Sequence, residues 1–258
     1  MPPVGVCWAD LNLGVIMVAR LKADDERGDL WRLLRAIATG ADADVSELLT
    51  GAPELALAAE QGGASRSTSA TYFLEEVAHY VYAGDTALHI AAAAYRTDIA
   101  KMLMSVGADA SARNRRGAEP LHYACDGQPA SGRWAPSEQA AVITYLLGAG
   151  ADADVPDKTG TTPLHRAVRT RCASAVRVLL EHGADPRRAN GSGSTPLHLA
   201  VQNTGRGGSG TDAAVEQQRE VIRLLMHHGA RPSDVDGAGK TVQARVAGRT
   251  IADAFSAR

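Results

Sequence analysis

The sequence predicts an all-α solenoid of stacked helix pairs, and three observations carry that expectation. A six-residue segment recurs four times: Thr86-Ala-Leu-His-Ile-Ala91, Glu119-Pro-Leu-His-Tyr-Ala124, Thr162-Pro-Leu-His-Arg-Ala167 and Thr195-Pro-Leu-His-Leu-Ala200. A second marker follows each one: Gly107-Ala-Asp109, Gly150-Ala-Asp152, Gly183-Ala-Asp185 and Gly229-Ala-Arg231. The chain is 45% hydrophobic but only 4% aromatic. A core of Ala, Leu and Val suits close helix packing better than a β-sandwich.

The elements follow in chain order. Residues 1–22 form a tail whose apolar positions alternate like a short strand. Its terminal position predicts loose attachment, and Met17 is a candidate start of the native chain. Residues 23–83 read as a degenerate N-terminal capping repeat and loop. In it, Leu30–Ile37 and Val45–Leu49 are helical, 60–70 is a polar loop, and Tyr72–His79 reads as a helix. Residues 84–239 hold four full units.

In three of the four units the N-cap is Thr, whose hydroxyl can accept from an orphan amide of the first turn. Pro120, Pro163 and Pro196 fall at the first helical position, where a missing N–H costs nothing. The Gly of the second marker ends the second helix in a left-handed conformation. Between the markers, apolar residues recur at helical spacing, as in Val176, Leu179 and Leu180. The repeat histidines are 33, 43 and 33 positions apart. The longer spacing and the long fourth unit place insertions near 126–137 and 203–214, both between the two helices of their units. Residues 240–258 read as C-terminal capping helices; Gln243 and Ala244 replace the usual Leu and His, a more polar surface fit for an end unit.

Two markers recurring in phase, with a 33-residue period and a Thr-Pro-Leu-His-x-Ala signature, resemble the ankyrin-repeat family. The resemblance is strong over 84–236 and weaker over the flanking caps. Ala87 replaces the Pro of the signature, and Glu119 replaces its Thr. The resemblance implies that His89, His122, His165 and His198 are structural, each bonding the neighbouring turn. It also implies a protein-binding role, with the partner held by the turn tips and the concave face of the first helices.

Mapped by repeat phase, that surface includes Tyr82, Arg115, Arg116, Lys158, Thr161, Arg169, Thr170, Ser192 and Gln202, with Trp134 in the first insertion as a candidate anchor. Its centre reads as basic, through Arg113, Arg115, Arg116, Lys158, Arg166, Arg169 and Arg171, so an acidic segment of a protein partner is the expected ligand.

Other functions are disfavoured. A formal net charge of -2 lacks the basic excess of a nucleic-acid binder. The 3 cysteines, odd in number and far apart, suit neither a disulfide framework nor a zinc cage, and point to a reducing compartment. No apolar run is long enough for a membrane span. Successive histidines belong to units about 10 Å apart, too far to share one ion. Gly205-x-Gly-x-x-Gly210 lacks the strand that a dinucleotide site requires. No third group is placed beside a Cys–His pair for nucleophilic catalysis. The expectation is a monomeric, cytoplasmic adaptor, inhibitor or scaffold that uses no cofactor and no metal; a translocated effector is the alternative and an enzyme the weakest reading.

Overall fold

The computed structural model describes residues 28–127, 134–202 and 211–246. The N-terminal tail, residues 128–133 of the first insertion and the Gly-rich part of the second lie outside them. Helices α1 (Asp29–Thr39) and α2 (Asp42–Gly51) form the degenerate first pair. The full units follow as α3 (Ala87–Ala93) with α4 (Thr97–Ser105), α5 (Pro120–Ala124) with α6 (Pro136–Gly148), α7 (Pro163–Arg169) with α8 (Ala173–Glu181), and α9 (Pro196–Ala200) with α10 (Asp212–His227).

The first helices stack as an inner row, α1 on α3, α3 on α5, α5 on α7 and α7 on α9, and the second helices as an outer row, α4 on α6, α6 on α8 and α8 on α10. Each unit contacts its neighbours, and one core runs through the stack. The signature leucines Leu88, Leu121, Leu164 and Leu197 are completely buried in it.

The inner helices of the four full units have five to seven residues, too few for stability in isolation. Reciprocal capping and packing hold them. In α3 the Thr86 amide donates to His89 Nδ1 at 3.2 Å, so histidine takes the part that Glu or Gln plays in the usual capping box. The same bond runs from Glu119 to His122, Thr162 to His165 and Thr195 to His198. Because Nδ1 accepts, Nε2 carries the proton and donates onward. Its acceptors are Ala118 O at 3.1 Å, Thr161 O at 3.1 Å, Ser194 O at 3.0 Å and Lys240 O at 3.2 Å, each in the turn of the following unit. One imidazole thus closes a helix and bolts it to its neighbour.

Two stretches differ from the sequence expectation. Tyr72–His79 is not a helix: β1 (Phe73–Leu74) pairs antiparallel with β2 (His79–Tyr80) in a small hairpin. Phe73 lies against Tyr80 across the pair, ring centroids 4.8 Å apart. Cross-strand aromatic packing outweighs the helix preference of Leu74, Glu75 and Glu76. At the other end, the described C-terminal residues make a single 3-10 turn, Gln243–Arg245, in place of the first expected capping helix. Residues 247–258 lie outside the described part.

Candidate partner-binding site

Tight turns join each unit to the next, and their tips stand in register. Asn114, Asp157, Asn190 and Asp236 each lie five residues before a capping residue or its equivalent. In each, Oδ1 accepts from the amides two and four residues on, as Asp157 does from Thr159 at 2.8 Å and Thr161 at 3.1 Å. Asn114, Asn190 and Asp236 make the corresponding pairs. These residues were missed in the sequence, although their fixed offset and Asx chemistry are visible there.

Backbone bonds then link one tip to the next: Arg115 N donates to Ala83 O at 2.7 Å, Lys158 N to Arg116 O at 2.9 Å, and Gly191 N to Thr159 O at 2.9 Å. The tips present Arg115, Arg116, Lys158 and Ser192 to solvent, with Thr161 half-buried behind them. Arg115 also reaches the Ala64 carbonyl. Both guanidinium groups stack on Tyr82, 5.3 and 5.1 Å from its ring centre.

The sequence placed Arg166 and Arg171 in a basic concave centre. The structure buries both; they are 7% and 8% exposed. Arg166 bonds Asp126 Oδ2 at 2.8 Å and lies 3.4 Å from Asp157 Oδ2. The centre of the inner-helix face is therefore a buried ion-pair network and not a basic patch, and the exposed cations of the predicted set are Arg113, Arg115, Arg116, Lys158 and Arg169. Arg113 pairs with Glu119 at 2.9 Å.

Burial alone would raise the Asp126 carboxyl, but Arg166 and His79 outweigh it and hold the pKa at about 2. Beside it, Asp85 is fully buried and accepts from Tyr123 Oη at 2.8 Å, Asn114 Nδ2 at 2.8 Å and the Tyr82 amide at 2.7 Å.

The hairpin lies across this face. His79 stacks on Tyr123 with centroids 4.1 Å apart, and its Nε2 is 3.5 Å from Asp126 Oδ2. Between the hairpin and the loops that follow α3, α5 and α7 is a half-open cleft of about 340 Å³. Tyr82, Asp126, Trp134 and Thr170, which repeat phase and the first insertion put on the predicted surface, line it, together with Glu76, His79, Tyr80 and Tyr95, which the sequence did not place there.

Trp134 packs back on its own unit: Nε1 donates to Gln139 Oε1 at 2.9 Å, and Gln139 Nε2 donates to Ala124 O at 2.9 Å. Thr170 Oγ1 donates to Arg166 O at 3.0 Å. Gln202 is half-buried and Arg169 exposed at the ends of their inner helices.

A family comparison adds to this geometry. The ankyrin-repeat profile matches residues 33–134 and 133–236, which is most of the chain. The chain belongs to the ankyrin-repeat family. The match begins inside α1, so it takes in the degenerate first pair as well as the four units with the full signature. A comparison with curated proteins finds no match. Ankyrin repeats act in general as protein–protein interaction modules, with specificity set by the side chains grafted onto the stack. No described helix of this ankyrin stack is long and apolar enough to cross a membrane.

Proposed function

We propose that this ankyrin stack is a protein-binding module, an adaptor, inhibitor or scaffold, that holds an acidic segment of its partner along the turn tips and the inner-helix face. The observation that carries this reading is the ladder of tips. Exposed Arg115, Arg116 and Lys158 sit on consecutive tips whose spacing is set by backbone bonds, not by mobile side chains. Fixed cations on a preorganised backbone recognise carboxylates with little ordering cost on binding. Exposed Arg169 extends the positive rim on the third unit.

The test starts from partner capture by the tagged protein in its own host, followed by association kinetics with the purified partner. Charge reversal of Arg116 and Arg169 together should slow association, most strongly at low salt. An association rate and affinity unchanged by that double substitution would overturn the reading.

A further inference from the structure

The cleft beneath the hairpin differs in chemistry from the rim around it. Four of its lining residues are aromatic, Tyr80, Tyr82, Tyr95 and Trp134, and its two formally charged lining residues, Glu76 and Asp126, are carboxylates. Among the described residues no Lys or Arg lines it. Tyr82 already carries two guanidinium groups, so this face demonstrates the contact between cation and ring that the remaining rings can repeat. Among the described residues no cation stands over Tyr80, Tyr95 or Trp134.

The carboxylates are anchored. Glu76 is held by Arg35 at 3.1 Å, and Asp126 Oδ2 by Arg166 at 2.8 Å, while Asp126 Oδ1 accepts no bond from the described residues. Below them lie two further carboxyls, Asp85, to which Tyr123 Oη donates, and Asp157, which shares Arg166 with Asp126. Backbone strain also gathers here. Tyr95 and Ala78, both lining residues, have φ of 57° and 49°, and Arg171, next to the lining residue Thr170, has φ of 59°. Tyr95 is fixed in that conformation, its hydroxyl donating to Asp126 O at 2.7 Å.

We propose that the cleft takes one basic side chain, lysine or arginine, from the bound segment. The aliphatic stem lies among the rings, and the charged head donates to Asp126 Oδ1 and Glu76 in a half-enclosed site where the field of the carboxylates is concentrated. Arg116, stacked on the lining residue Tyr82, and Arg169, preceding the lining residue Thr170, stand at the rim. The preferred segment is therefore a basic residue flanked by acidic ones: the base enters the cleft and its neighbours meet the rim. This inference rests on the reading of the face as a partner-binding surface and adds a pattern to it.

The cleft is tested apart from any partner with three small probes: N-acetyl-arginine amide, N-acetyl-lysine amide and N-acetyl-citrulline amide, the last a neutral isostere of the first. The Trp134 indole N–H resonance, assigned with a Trp134→Phe variant, reports on occupancy. Saturable shifts with the two cations and a response at least ~10-fold weaker with citrulline are expected. The double variant Glu76→Gln, Tyr80→Ala lies on the hairpin, outside the stacked core, and should weaken the cation response by about 10-fold. An equal response to citrulline, no response to either cation, or undiminished binding by a folded double variant each overturns the proposal. Those failures leave partner capture through Arg116 and Arg169 standing, so the two readings fail separately.

Discussion

Arg166 Nη1 lies 2.8 Å from Asp126 Oδ2, an ion pair that ties α7 to the loop leaving α5, forty positions earlier. Arg166 is 7% exposed, so the pair is buried on one side and only 23% open on the side of the Asp126 carboxylate. Breaking such a pair leaves a charge without its partner. Arg166→Met should therefore cost ~3–5 kcal/mol, and adding Asp126→Asn should recover part of the loss. Urea unfolding of the three proteins checks this. Equal destabilisation by the single and double variants would show that the pair itself is not the source.

The same carboxylate predicts an acid response. Its folded pKa of about 2 lies below the ordinary 3.8, because Arg166 and His79 outweigh burial. A depressed carboxyl pKa stabilises above the unfolded value and is lost as pH falls through the folded one. Asp126 should therefore contribute about 2 kcal/mol at neutral pH, disappearing between pH ~4 and ~2. Asp126→Asn should flatten that part of the unfolding midpoint against pH.

Three of the repeat histidines, His89, His122 and His165, act in a higher window. Burial pulls His89, His122 and His165 down from 6.5, His122 to about 4, although each Nε2 donates to a carbonyl of the next turn. The unfolded chain takes up protons near pH 6.5, and the folded one does not. Stability should therefore fall as pH drops from about 6.5 towards 4, with His122 alone worth about 3 kcal/mol over that span. His122→Gln should be less stable at pH 8 and less sensitive to acid between pH 6.5 and 4. An unchanged slope for that variant would remove His122 as a source of the effect.

The repeat signature made most of this scaffold legible. The in-phase His and Gly markers place the inner helix of each of the four full units, because their roles are local and recur in each unit. The hairpin was not legible. Its four paired residues carry no period, and the Phe73–Tyr80 contact that decides its form joins positions a helix would hold apart. The surface was half legible. Phase correctly puts Arg116 and Lys158 at solvent-exposed tips, but it cannot tell that Arg166 faces Asp126 and Asp157 rather than solvent, since those partners come from two other segments. The cleft escaped for the same reason: it exists only where the hairpin crosses three loops.

Turn geometry gives a fourth test. Gly160 has φ of +73°, and a Cβ there would stand 2.5 Å from Gly191 N, the amide that donates to Thr159 O. Gly160→Ala meets a left-handed penalty and a backbone clash together, and the tips of the third and fourth units must part. A loss of about 2–3 kcal/mol is expected. Faster amide exchange confined to residues near 191 would locate the damage, whereas a variant as stable as the parent with that amide still protected would contradict it.

The cysteines report on opening of the stack. Burial, aided by the nearby Asp126 charge, pushes the Cys125 thiol well above its usual pKa. Burial pushes Cys172 up to about 11, against the bonds from Thr170 and Gln139 that favour its thiolate. At about 11 against the ordinary 9.0, Cys172 holds about 100-fold less thiolate, the form that reacts. At pH 8, iodoacetamide should therefore modify both at least ~100-fold more slowly in the native protein than in urea. Peptide mapping separates them from Cys7. Both thiols face the region held by Arg166, whose charge acts on Cys125 and whose helix abuts Cys172 through Thr170. If labelling proceeds through opening there, Arg166→Met should accelerate it in proportion to the stability lost. Rapid native labelling of either thiol, or no acceleration in that variant despite its lower stability, would show that the second and third units do not open as one.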